Sequence, residues 1–299
     1  MSLVIVGSLA FDTIQTPTER RERIVGGSGT YCALAASFFT KPRVVGVIGR
    51  DFPKKTLTFL RSRKIDLAGV EVKAGKTFHW EGRYGEDPNQ RTTVRTDLNV
   101  FADFKPRLPP SYRSADILYL ANIDPDLHGP VLAQAKKPRL VAMDTIRYWI
   151  ETKPEAVVRE LGRVDVYFAN DEEVKLLAGE SNLVRAGKKL LKYGPSLVVA
   201  KKGEHGALLF GRDFVFGVLA RPCDEVVDPT GAGDSFAGGF LGHLDRVPRA
   251  TGRELRRAAV YGSIVASFVI EDFGVDRFLT LKPEEIDARY REFRKLVSF

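Results

Sequence analysis

Short runs of β-branched residues alternate with amphipathic segments through most of this chain, and this alternation constrains the fold more than any other feature. It predicts βαβ units, and therefore an α/β protein whose parallel sheet is covered by helices on both faces. With 299 residues, of which 44% are hydrophobic, the chain is long enough to bury one large core. Core strands are predicted at 4–7, 44–48, 117–120, 140–144, 164–169 and 197–201. Helices are predicted at 126–136, 154–162, 171–179 and 183–193.

One region departs from this alternation, between about residues 70 and 104. Residues 77–84 and 91–101 have the period of two that is typical of strands, and the Gly/Asp/Pro/Asn-rich segment 85–90 separates them. The pattern predicts a hairpin with Phe78, Trp80 and Tyr84 on one face. A hairpin cannot bury such a face by itself, so it must cover the core, a ligand or a second subunit.

A glycine-flanked loop leads into an apolar helix-forming run at residues 228–239. Gly231 and Gly233 leave the backbone open to a phosphate, and the first amides of the following helix lack intrahelical partners. Asp234 lies at the mouth of this anion site, where the helix dipole favours its ionised form. An ionised carboxylate there can take a proton from a hydroxyl, which indicates phosphoryl transfer. An ordinary capped helix start is the alternative.

The same stretch resembles the DTGAGD signature of the PfkB carbohydrate kinases, the ribokinase-like family of ribokinases, fructokinases and adenosine kinases. Pro229 stands where the family usually carries Thr or another small residue. A second segment, with tandem glycines at Gly26 and Gly27, resembles the amino-terminal signature of that family. The resemblance covers nearly the whole chain and implies one domain, 1–299, with a three-layer α/β/α core, a mostly parallel central sheet and a small β-sheet lid. It implies a lid of about 10–26 and 70–105 on a core of about 1–9, 27–69 and 106–299.

The resemblance also implies the site residues. Those of phosphoryl transfer are the base Asp234 and the backbone of Gly231, Ala232 and Gly233. Those that bind the acceptor are Phe11, Asp12, Gly26, Gly27 and Tyr31. Those that bind ATP are Asn170, Glu173, Lys201, Gly203, Thr230, Gly231, Gly233 and Gly274. Asn170 and Glu173 are expected to organise Mg²⁺ through water, and Asp228 is a candidate ligand for K⁺. For Asn170 and Glu173 an acid-rich helix start is an equally good interpretation.

One departure from the family pattern concerns the acceptor. Many sugar kinases carry an Asn shortly after the tandem glycines, whereas this chain has Tyr31 and Cys32. This favours a wider or more apolar ligand, and hence a nucleoside over a simple sugar such as ribose, fructose or a polyol. Two functions of another class stay open, namely a non-catalytic nucleotide-binding regulator and a nucleic-acid binder.

The charge pattern argues against nucleic acid as a partner. The formal net charge is +8, but Lys and Arg are spread among Asp and Glu without a dense basic tract. Cys32 and Cys223 have no metal-like spacing, and no apolar run is long enough to cross a bilayer. We therefore expect a cytoplasmic ATP- and magnesium-dependent enzyme for a small molecule, and a homodimer through the lid is compatible with the hairpin.

Overall fold

The computed structural model describes residues 2–298. Its strands are β1 (Leu3–Val6), β2 (Ala10–Gln15), β3 (Arg20–Gly26), β4 (Arg43–Gly49), β5 (Asp66–Lys73), β6 (His79–Tyr84), β7 (Arg91–Asp97), β8 (Ile117–Leu120), β9 (Leu140–Asp144), β10 (Val166–Asn170), β11 (Leu197–Lys201), β12 (Ala207–Gly211) and β13 (Val215–Val218). Its α-helices are α1 (Ser28–Ala36), α2 (Lys54–Ser62), α3 (His128–Leu132), α4 (Arg147–Thr152), α5 (Pro154–Leu161), α6 (Asp171–Ala178), α7 (Leu183–Leu191), α8 (Ala232–Asp245), α9 (Gly252–Val269), α10 (Asp276–Thr280) and α11 (Pro283–Val297).

Nine strands form the central sheet, in the order β13-β12-β11-β10-β9-β8-β1-β4-β5. The pairs from β11 to β5 are parallel, whereas β12 and β13 run antiparallel at one edge. The carboxyl ends of the parallel strands therefore meet along one edge of the sheet, which is where ligands of open α/β sheets bind.

Each face of the central sheet has its own apolar core. In β1, Leu3 and Ile5 belong to the core on one face, and Val4 and Val6 belong to the core on the other. The first core includes side chains of α1, α8 and α9, and the second includes side chains of α5, α6 and α7. Since both faces are covered, the strands read as continuous apolar runs, as parallel strands do. The predicted three-layer α/β/α architecture is confirmed.

A separate four-stranded sheet, in the order β3-β2-β6-β7, forms the lid. The pairing of β6 with β7 shifts register between Glu81 and Gly82. A β-carbon at Gly82 would lie 2.0 Å from the Trp80 indole, so glycine lets this ring lie flat on the strand. Tyr84 and Ile14 of the lid bury themselves against Phe273 of the core.

Most differences from the predicted elements lie at their boundaries. β5 ends at Lys73 in the central sheet, so the start of the expected lid segment belongs to a core strand. β7 ends at Asp97, earlier than predicted, because Asn99 takes a positive φ of 49° and a 3₁₀ turn follows. The predicted helix at 126–136 is also shorter. It consists of a 3₁₀ turn and α3, and beyond α3 the Gln134 side chain bonds the 106–108 segment.

Candidate active site

Three chemically active residues terminate neighbouring strands at the ligand-binding edge of the central sheet. Asp144 is the last residue of β9, Asn170 ends β10 and Lys201 ends β11. Asn170 and Lys201 are register partners in the sheet. The helix α8 begins close by, because a β-carbon at Gly233 would lie 3.1 Å from the Lys201 Nζ.

The loop before α8 has the geometry of an anion site. Gly231 is the N-cap residue, with φ of 78°, and a β-carbon there would lie 2.4 Å from the Tyr31 ring. No side chain caps this helix, which favours an anion at its amino terminus, although the Ala232 N–H already donates to the Pro229 carbonyl at 3.2 Å. The buried Asp228 braces the loop, since its two carboxylate oxygens accept the backbone N–H groups of Thr230 at 2.8 Å and Gly274 at 2.9 Å. The N–H group of Gly274, a residue predicted to bind ATP, therefore donates to Asp228 in this structure.

Asp234 lies in the first turn of α8 and is half-buried. Burial raises its pKa to about 7, and the nearby Asp144 carboxylate adds to the shift, whereas Lys201 and Arg91 oppose it. A carboxylate with a pKa near neutrality is well matched to accepting a proton from an alcohol. Its position and its proton affinity therefore suit a general base.

Lys201 forms an ion pair that the sequence did not reveal. Its Nζ donates to Asp144 Oδ2 at 2.5 Å, and both side chains are largely shielded from water. Burial by itself lowers the pKa of Lys201, but the Asp144 carboxylate outweighs it, and the pKa ends above its ordinary value. The ammonium is therefore charged at neutral pH and lies beside the anion loop.

The predicted acceptor residues lie at the junction of lid and core. A β-carbon at Gly26 would lie 1.8 Å from Asp12 Oδ2, so only glycine admits this carboxylate. Gly27 has φ of 98° and lies against the Ser8 carbonyl. Burial raises the pKa of Asp12 to about 8, and the charges of Asp228 and Asp234 add to it. Asp12 is therefore a buried carboxyl group with a raised pKa, packed closely against the tandem glycines.

Phe11 and Tyr31 are both almost fully buried. Phe11 packs against Phe52, with ring centroids 5.6 Å apart, and the Arg23 guanidinium lies 4.4 Å from its ring. Phe11 is thus mainly a packing residue in this structure. The Tyr31 hydroxyl has no hydrogen-bond partner within residues 2–298.

Asn170 and Glu173 form a reciprocal capping box at the start of α6. The Asn170 Oδ1 accepts the Glu173 N–H at 2.7 Å, and Glu173 Oε2 accepts the Asn170 N–H at 2.8 Å. The other Glu173 oxygen accepts the Arg147 N–H at 3.1 Å. Each oxygen keeps one lone pair, because a carboxylate has about four acceptor sites, so the pair still suits a hydrated Mg²⁺. Within residues 2–298, no three His, Cys, Asp or Glu side chains cluster closely enough to hold a metal ion by themselves.

The lid reaches across the cleft through Tyr84, which the sequence analysis placed on one face of the hairpin, and through Asn89 and Arg91, which it did not single out. The Tyr84 hydroxyl lies 2.9 Å from Thr230 Oγ1 of the anion loop. Asn89, at the hairpin tip, lies against Gly203. A β-carbon on Gly203 would be 1.8 Å from the Asn89 Oδ1. Arg91, at the start of β7, lies close enough for its charge to lower the pKa of Asp234. The period-two pattern predicted the hairpin but gave no sign of these partners.

Comparison with known proteins agrees with this geometry. Residues 2–280 match the pfkB family carbohydrate kinase model. The chain belongs to this family. It is a phosphotransferase with an alcohol acceptor, a sugar or nucleoside kinase.

Individual relatives and structures place this pfkB kinase more closely. It is 32% identical over 278 residues to a cytidine kinase from Thermococcus kodakarensis, which covers 92% of this chain and 98% of the relative. A Burkholderia thailandensis nucleoside kinase in complex with inosine superposes with a TM-score of 0.79 over 97% of each chain, at 20% identity. An Escherichia coli ribokinase II structure with ATP and Mg²⁺ gives a TM-score of 0.81 over 97% of this chain and 99% of the other, at 17% identity. The last two show the ribokinase-like fold, and with it the predicted fold class is confirmed.

No helix of residues 2–298 combines the length and apolar character needed to cross a membrane.

Proposed function

We propose that this pfkB kinase is an ATP-dependent nucleoside kinase that transfers the γ-phosphate of ATP to a primary hydroxymethyl group. The observation that carries the proposal is the half-buried Asp234, with a pKa of about 7, in the first turn of α8 above an uncapped anion loop. A base and an anion site in this order suit in-line transfer to an alcohol, which is mainly a task of positioning and electrostatics.

The preference for a nucleoside rests on the acceptor side of the cleft. Tyr31 and Cys32 lie in the neighbourhood where many sugar kinases carry an Asn, which favours a wider or more apolar acceptor. The carboxylate of Asp12 can accept hydrogen bonds from two vicinal hydroxyls of a ribose. The long match to a cytidine kinase supports the same choice and makes cytidine the first acceptor to test.

In the proposed reaction, Asp234 accepts the proton of the acceptor hydroxyl while the alcohol oxygen attacks the γ-phosphorus. The bond between the γ-phosphorus and the β,γ-bridging oxygen breaks as the new bond forms, and ADP leaves. The backbone amides of Gly231, Ala232 and Gly233 stabilise negative charge on the transferring phosphoryl group. The Lys201 ammonium adds a positive charge beside the same loop, and the Gly203 turn under the lid tip is the candidate contact for the nucleotide ribose.

Magnesium and potassium are part of the proposal. Asn170 and Glu173 would hold Mg²⁺ through water, and the ion would neutralise phosphate charge. Asp228 stays the candidate for K⁺, and turnover in KCl compared with choline chloride tests that role. We also propose that the protein is cytoplasmic and that it forms a homodimer through the lid. The exposed Val94 of β7, with 49% of its surface accessible, suits the dimer, which light scattering would detect.

The deciding experiment measures ADP release with ATP, Mg²⁺ and K⁺ against cytidine, adenosine, inosine, guanosine, ribose, fructose and myo-inositol. Asp234→Asn is the control for every acceptor. We expect turnover on at least one nucleoside, cytidine first, and loss of that turnover in the variant. Turnover on ribose or fructose alone would refute the nucleoside preference. Silence on all acceptors with intact ATP binding would favour the non-catalytic regulator.

A further inference from the structure

An ion pair crosses the carboxyl edge of the central sheet beneath the anion loop. Lys201 ends β11 and Asp144 ends β9, and the strand between them is β10, so the lysine side chain spans a neighbouring strand to reach its partner. Asp144 is held from two further sides. Its Oδ1 accepts the Thr145 N–H at 2.8 Å, and its Oδ2 also lies 3.4 Å from the Tyr119 hydroxyl. These contacts hold the Asp144 carboxylate in place, and the carboxylate in turn holds the Lys201 ammonium in place.

The ammonium is only partly satisfied by this pair. An ammonium has three protons, and within residues 2–298 the Lys201 Nζ donates to Asp144 alone. The same nitrogen lies 3.1 Å from the place that a β-carbon on Gly233 would occupy. Two donors therefore stand free beside the first turn of α8, in a site whose side chains are mostly buried. Because 17% of the Lys201 side chain stays accessible, an anionic group that enters the cleft can accept hydrogen bonds from these donors.

We propose that Asp144 is a positioning residue that holds the Lys201 ammonium against the first turn of α8, where it binds the phosphates of the nucleotide. This inference rests on the proposed function and deepens it. Asp144 acts through Lys201 and does not touch the substrate. The competing explanation is that the Asp144–Lys201 ion pair is a structural brace, which means that it only stabilises the packing of β9 near β11. The two explanations differ in what happens when both charges are removed together.

The test is a double-mutant cycle of Asp144→Asn, Lys201→Met and the double variant. For each protein we would measure kcat, the KM for ATP, the melting temperature and the Kd of the magnesium complex of a non-hydrolysable ATP analogue. Lys189→Met is the matched control, because Lys189 pairs with Glu180 at 3.9 Å on the surface helix α7, away from the cleft. The control should match the wild type in all four measurements.

Lys201→Met leaves a buried carboxylate without its partner, so its melting temperature should fall. The double variant removes that charge as well, and its melting temperature should recover. If Lys201 binds phosphate and Asp144 positions it, each single variant should raise the analogue Kd about 10- to 100-fold, the scale of a charge-assisted hydrogen bond. The double variant should be no worse than Lys201→Met, because both changes remove one contact.

Two results would overturn the inference. One is a double variant that regains nucleotide affinity together with its melting temperature, since that is the behaviour of a brace. The other is an Asp144→Asn protein that binds the analogue like the wild type. A wild-type chain without turnover on any acceptor would refute the proposed function, and the analogue Kd values would still decide the role of Asp144.

Discussion

Replacing Asp234 by Asn tests the base through two independent quantities, turnover and stability. Asn keeps the shape of the side chain but cannot accept the proton, so turnover on the acceptor should fall by about 10²- to 10⁴-fold, the usual contribution of a general base. ATP binding should change little. In the wild type, kcat should fall about tenfold per pH unit below pH 7, because the pKa of Asp234 is about 7 and its protonated form is inactive.

The raised pKa also predicts how stability changes with pH. In the unfolded chain Asp234 has the ordinary pKa of 3.8, so between pH 4 and 7 the folded state holds a proton that the unfolded state has lost. The contribution of Asp234 to the wild-type free energy of unfolding therefore falls as pH rises through this window and is constant above it. A shift of about three units is worth at most about 4 kcal/mol, and water at the half-open mouth of the site reduces this to about 1–3 kcal/mol.

The Asp234→Asn variant lacks this penalty, so it should match the wild type near pH 4 and exceed its stability by about 1–3 kcal/mol above pH 7. Urea unfolding at pH 4, 5, 6, 7 and 8 measures this difference, and ADP release measures turnover in the same samples. A variant that turns over near the wild-type rate refutes the base. A variant less stable than the wild type at pH 8 refutes the explanation by burial.

Three further predictions concern the groups around this carboxylate. Arg91→Ala should lower kcat about 10- to 100-fold, because it removes a lid cation whose charge acts on Asp234, and Arg91→Lys should restore part of the loss. Gly231→Ala should abolish turnover and cost about 2–4 kcal/mol of unfolding free energy, because the new β-carbon would clash with the Tyr31 ring and the residue has a positive φ. Gly179→Ala is the control. Gly179 also has a positive φ but open space around it, so this change should cost only about 1 kcal/mol. The acceptor KM should fall as pH rises from 7 to 9, because Asp12 has a pKa of about 8 and its ionised form accepts hydrogen bonds best; a flat KM across this range contradicts its role.

Local signals predicted the elements well. The strands at 117–120, 140–144 and 197–201 coincide with β8, β9 and β11, because a strand buried on both faces is a continuous apolar run bounded by polar residues. The antiparallel edge strands β12 and β13 were not predicted. β13 is exposed at alternate positions and only four residues long, so its apolar signal is weak.

The candidate site likewise has one part that the local sequence predicts and another part that it does not. The glycine loop and Asp234 are contiguous, so their spacing alone predicted an anion site with a carboxylate at the start of a helix, and the structure has that helix at Ala232–Asp245. The partner of Lys201 lies 57 residues earlier in the chain, and nothing in the local sequence marks Asp144 as that partner. The capping box at Asn170 and Glu173 shows that these residues serve the helix start, and their binding of Mg²⁺ stays a proposal.

The amino-acid sequence by itself determined the strand and helix pattern, the lid hairpin, the anion loop and the family, because each depends on neighbours within a few residues or on a contiguous motif. Only the tertiary structure decided which charges meet. The pKa of Asp234 near 7 depends on burial and on Asp144, Lys201 and Arg91, which come from three different strands. The lid tip meets the Gly203 turn only when the two sheets are packed together. Electrostatic energies depend on distance and on the exclusion of water, and both are properties of the folded chain.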